Sequence, residues 1–89
     1  MYTIWTVGVL SAGAENVQTL AGGATPTRAG AVEAASDALV VAAMDRGRQE
    51  YRIRVADTLI VVIPGVTEQG DVDLFDLAAT VPRFERARR

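Results

Sequence analysis

At 89 residues the chain has room for one domain and no second core, and its nine basic and eleven acidic residues give a formal net charge of −2. It contains no cysteine and no histidine, which excludes a disulfide framework, a thiolate zinc site, a cysteine nucleophile and the usual general base near neutral pH. All nine basic residues are arginine.

Residues 2–10, YTIWTVGVL, are rich in β-branched and aromatic residues and predict a strand. Both parities are partly apolar, as in a strand that is central or covered on each side. SAGAEN then predicts a turn, and VQTLA (17–21) a short second strand that forms a hairpin with the first. Gly22 and Gly23 punctuate the chain before a helix over about residues 26–45. Thr25 suits its N-cap and Pro26 its first position, where a missing N–H costs nothing. Val32, Ala35, Leu39, Val40, Ala43 and Met44 form an apolar stripe at helical spacing. Gly47 is the residue expected to end the helix. The stripe is rich in alanine, so the helix can lie close to a sheet.

EYRIRVADTLIVVIPG (50–65) predicts a hairpin. A three-residue loop, Ala56–Asp57–Thr58, places Val55 opposite Leu59, Ile53 opposite Val61 and Tyr51 opposite Ile63, all on the face the helix covers. The other face then carries Arg52 and Arg54 beside Ile60 and Val62. A two-residue loop would scatter the apolar residues over both faces, which is penalised wherever one face is buried. Beyond the hairpin, Asp71 is a candidate cap for a short helix with Asp73 in its first turn. Leu74, Leu77, Ala78 and Val81 follow helical spacing. Pro82 disfavours helix at Val81 and marks a boundary, which divides the chain into a domain (1–82) and an arginine-rich tail (83–89). The fold expected is α+β: a small antiparallel sheet of three or four strands in the order β-(β)-α-β-β, one long helix on one face and a short C-terminal helix.

The apolar run Leu59–Pro64 is far below the ~20 residues of a membrane span. The first residues lack the basic and long apolar regions of a signal peptide. A cytoplasmic protein is expected. Charge is uneven: residues 1–81 carry ten acids and five arginines, whereas residues 82–89 carry four arginines and Glu85.

Several constellations suggest chemistry. Arg52 and Arg54, with Tyr51 and Trp5 on the same sheet, have the ingredients of a single-stranded nucleic-acid platform. Arg83, Arg86, Arg88 and Arg89 could neutralise phosphates. Against this reading, Tyr51 is placed on the core face, the overall balance is acidic, and the chain holds one Trp, two Tyr and two Phe. Alternate strand arginines more often form a solvated face whose stems cover aliphatic neighbours. Glu68, Asp71, Asp73 and Asp76 cluster, but helix-start acids explain them without a metal, and the spacing departs from an EF-hand loop. Gly22–Gly23 before a helix could hold an anion, yet no GxGxxG or P-loop pattern accompanies it. No cofactor or metal is expected. Catalysis by Ser11, Ser36 or a threonine would rest on carboxylates, tyrosines or a terminal amine as base, and the expectation is not an enzyme.

TPTRAGAVEAASDALVVAA without lysine, the β–α–β–β order and the arginine-rich end resemble small orphan proteins of high-GC actinobacteria and their phages. The resemblance is one of composition and carries over no functional residue. It implies a protein that binds and redirects a host protein. A further resemblance, to small β–α–β–β modules that pair as dimers, implies self-association. Arg52, Arg54, Ile60 and Val62 are thus the expected interaction surface, covered by a second copy. The expected function is a non-enzymatic protein–protein interaction module, with a nucleic-acid-binding accessory protein as the alternative.

Overall fold

The computed structural model describes residues 1–88. Its elements are β1 (Thr3–Leu10), β2 (Gln18–Thr25), α1 (Arg28–Arg46), β3 (Glu50–Val55), β4 (Thr58–Val62) and α2 (Leu74–Ala87). The strands form a single antiparallel sheet in the order β2-β1-β3-β4. This is the expected α+β architecture, with four strands, a long helix and a shorter C-terminal one.

β2 is a full strand and not the short segment ending at residue 21. Gly22 and Gly23 lie inside it, opposite Thr6 and Trp5. The reason is the indole: a Cβ on Gly23 would sit 3.1 Å from Trp5 Nε1. The aromatic ring covers the glycine, a pairing that compensates for glycine's weakness in a strand. The register shifts between Val7 and Gly8, where the partner changes from Ala21 to Thr19. The intervening Leu20 packs against the core.

α1 begins two residues later than its sequence signals indicate. Thr27, in extended geometry, is the N-cap, and its hydroxyl accepts the Gly30 N–H at 3.0 Å. Thr25 instead donates its hydroxyl to the Thr27 carbonyl at 2.6 Å. The buried row is Ala31, Val32, Ala35, Ser36, Leu39 and Ala43, while Met44 is exposed. Gly47 closes the helix at φ +74°, its N–H reaching the Ala43 carbonyl at 2.8 Å. The positive φ is what makes glycine suitable there. Tyr51 is fully buried, and its hydroxyl donates to the Gly47 carbonyl at 2.6 Å. That bond fixes the end of α1 onto β3. Burial pushes the Tyr51 phenol above its ordinary pKa.

β3 and β4 are joined by a two-residue turn, because Val55 pairs with Thr58, Ile53 with Ile60 and Tyr51 with Val62. The three-residue loop is therefore corrected, and with it the placement of two predicted surface residues. Ile60 and Val62 face the helices and are 6% and 8% exposed. Leu59, Val61 and Ile63 take the outward positions. Ala56, in the turn, has φ +54°, and its N–H donates to the Ile4 carbonyl at 2.8 Å.

α2 is capped by Asp73, not Asp71; the Asp73 carboxylate accepts the Asp76 N–H at 3.0 Å. The helix does not end at Val81. It continues through Pro82 to Ala87, so the helix boundary expected at Pro82 is corrected. Proline gives no N–H to the carbonyl four residues back, but two contacts hold the helix across that defect. Val81 is buried in the core. Beyond the proline, Glu85 accepts from Arg28 Nε at 2.7 Å. Arg28 also donates to Thr58 Oγ1 at 3.1 Å, so one guanidinium joins α1, α2 and the start of β4. Leu39 and Ile53, expected deep in the core, are fully buried. The core cluster also takes in Val7, Val9, Tyr51, Val55, Leu77 and Val81. Both helices thus serve one face of the sheet.

Candidate functional site

The opposite face of the sheet is the candidate site. Strand alternation puts Ile4, Thr6 and Gly8 of β1, Arg52 and Arg54 of β3, and Leu59 and Val61 of β4 on that side. No helix among the described residues covers it. Its apolar members are well exposed: Ile4 63%, Leu59 51%, Val61 48% and Ile63 54%. Three of them, Leu59, Val61 and Ile63, run in a row along the β4 margin. Apolar rows of this kind mark interaction surfaces.

Arg52 and Arg54 stand where the sequence placed them, on the outward side of β3 with Tyr51 turned inward. Arg52 pairs with Glu50 of its own strand. Arg54 forms no ion pair among the described residues. Together with Thr6, Gly8, Val17, Thr19 and Leu59 the two arginines line a hollow of about 200 Å³. Gly8 creates the floor: a Cβ there would meet Val17 Cγ1 at 2.5 Å and the Gln18 carbonyl at 3.0 Å. Side-chain length therefore shapes the hollow, with Gly8 and Thr6 of β1 low and Arg52, Arg54 and Leu59 rising on the β3–β4 side.

Of the four residues predicted for this surface, the structure places Arg52 and Arg54 on it and Ile60 and Val62 beneath it. Leu59, Val61 and Ile63 were missed. All five residues from Leu59 to Ile63 are aliphatic, so hydrophobicity could not choose between parities. The turn length was the only local signal.

The arginines of the nucleic-acid reading do not converge. Arg83 binds Asp76 at 3.1 Å and Arg88 binds Glu85 at 3.3 Å, both on α2, which packs on the helical side. Arg86 is in the last turn of the same helix; Arg89 lies outside the described residues. Arg52 and Arg54 face the other way, with the sheet between the two groups. Trp5 and Tyr51 belong to the helical side, so neither aromatic of that reading joins Arg52 and Arg54 on the open face. A continuous basic groove with stacking platforms is what single-stranded binding uses.

Glu85 is the acid most affected by its surroundings. The hydrogen bond from Arg28 holds its carboxyl below the ordinary value, outweighing desolvation, which acts the other way. Among the described residues, no group of three or more His, Cys, Asp or Glu side chains is placed to hold a metal ion, and no helix is long and apolar enough to cross a membrane. Comparison with protein-family models, with curated proteins and with solved structures finds no match to this chain.

Proposed function

We propose that the protein is a non-enzymatic interaction module that works as a homodimer through the open face of its sheet. The observation that carries this reading is the uncovered apolar row Leu59, Val61 and Ile63 beside Arg52 and Arg54. A two-fold axis across β3 at the level of Arg52 sets Glu50 of one copy against Arg54 of the other, and sets Arg52, already paired with Glu50 of its own strand, against its own equivalent. Because Arg52 pairs with Val61 and Arg54 with Leu59, the same axis sets Val61 against its own equivalent and Leu59 against Ile63. Self-complementarity of one patch is the requirement for a closed dimer. The compositional resemblance to proteins of actinobacteria and their phages supports a host protein as the dimer's further partner.

Light scattering at high micromolar concentration tests the dimer. The parent chain is expected at twice its 9.4 kDa mass. The double substitution Leu59→Lys and Val61→Lys sets like charges beside Arg52 and Arg54 and is expected to give a monomer with the parent's circular dichroism. A monomeric parent at that concentration refutes the reading.

A further inference from the structure

The other margin of the sheet carries a second surface. β2 pairs with β1 on one side only, so its outer amides and carbonyls have no ladder partner among the described residues. Its sequence, QTLAGGAT, contains no charge and no proline, the residues that usually blunt an edge strand. The flank of α1 overhanging this edge is built of Ala38, Val41 and Ala42. With Leu20 and Ala21 these residues line a groove of about 530 Å³. Small side chains on both walls keep it open. Asp37 and Asp45 stand at its rim, and neither forms an ion pair among the described residues.

We propose that this groove takes an extended peptide segment, which adds to β2 as a further strand and presents a basic residue to each rim carboxylate. Strand addition at a free edge supplies backbone hydrogen bonds, and alternate side chains then enter the adjoining groove. The spacing of the acids sets the pattern. Eight residues on a helix span about 12 Å, close to the reach of about four residues of extended chain. Residues i and i+4 of a strand share a face, with i+2 between them. The segment recognised is therefore basic at i and i+4 and small and aliphatic at i+2. Arg46 is the single cation of the lining, so the rim favours a basic segment over an acidic one. The site is at the opposite margin from the β4 row, and its occupancy is independent of the dimer.

The test is an NMR titration of the isotopically labelled full chain with a capped pentapeptide, arginine-threonine-valine-threonine-arginine. Amide shifts are expected in Gln18–Thr25 and in residues 37–46, with saturation at millimolar peptide or below. The double substitution Asp37→Asn and Asp45→Asn is expected to weaken binding at least threefold. A peptide with glutamates in place of arginines, and one N-methylated at the valine and both threonines, should leave the spectrum unchanged. Absence of shifts, shifts centred on β3 and β4, or equal binding by the asparagine variant or by either control peptide overturns the proposal.

Discussion

Removing the charge at position 85 tests how the C-terminal helix is held. In the parent protein Arg28 Nε and the Glu85 carboxylate meet at 2.7 Å, with side-chain exposures of 25% and 28%. Fully exposed pairs contribute about 0–1 kcal/mol and charge-assisted hydrogen bonds about 1.5–3 kcal/mol. A pair that keeps a quarter of its surface in water falls between these ranges, so the coupling expected is about 1 kcal/mol. Glu85→Gln preserves shape and removes the charge. Arg28→Ala should cost more, about 2 kcal/mol, because the bond to Thr58 Oγ1 is lost with it. Urea unfolding of the parent, both single variants and the double variant isolates the pair term from the Thr58 term.

The pH dependence provides an independent check. Glu85 has a folded pKa below its unfolded value, owing first to the hydrogen bond from Arg28. Its contribution is therefore complete above the unfolded pKa of about 4.3 and is lost as pH falls through the folded pKa. The parent and Glu85→Gln should differ by the full amount near neutrality and converge in acid. A deficit in Glu85→Gln that is the same at neutral pH and at about pH 3 would refute the assignment of this pair as an electrostatic tie, as would a cycle with no coupling.

Three further outcomes follow from the packing. Leu39→Ala empties a fully buried site between α1 and the sheet and should cost about 2–5 kcal/mol in urea unfolding; a variant as stable as the parent would place α1 in another register. Ala56→Gly relieves a side chain held at φ +54° and should stabilise by about 0.5–1 kcal/mol, read as a raised urea midpoint; a lowered midpoint would count against this turn geometry. Deleting residues 83–89 removes Glu85 and the last turn of α2, and should lower the thermal midpoint clearly; an unchanged midpoint would mean that the helix beyond Pro82 adds nothing.

The elements that were legible in the sequence are those with one apolar periodicity. The α1 row from Val32 to Ala43 repeats at helical spacing, so the helix, its face and the burial of Leu39 followed from the pattern alone. Tyr51, Ile53 and Val55 alternate with charged residues, so β3 could be oriented without knowing its neighbours. The failures have nonlocal causes. Gly22 and Gly23 resemble a break until the Trp5 ring lies over Gly23 from the adjacent strand. Pro82 resembles a helix end until Arg28, which precedes Glu85 by 57 residues, holds that residue beyond it. Met44 fits the helical stripe but lies near the end of α1, away from the buried row.

β4 is the instructive case, because its ambiguity bears on function. Thr58, Ile60 and Val62 satisfy the pairing with β3, and Ile60 and Val62 complete the core cluster. The fold therefore makes no demand on Leu59, Val61 or Ile63, which could be polar at no cost to the core. The adjacent strand shows the alternative, with Arg52 and Arg54 outward and Tyr51, Ile53 and Val55 inward. An outward aliphatic row on an uncharged edge strand invites association, and isolated exposed aliphatic residues would not form such a row. The feature that made the register unreadable, apolar residues at every position from 59 to 63, is therefore the same feature that argues for a partner on the open face. If Leu59, Val61 and Ile63 all tolerate lysine without a change in mass at high micromolar concentration, that link between ambiguity and association is broken.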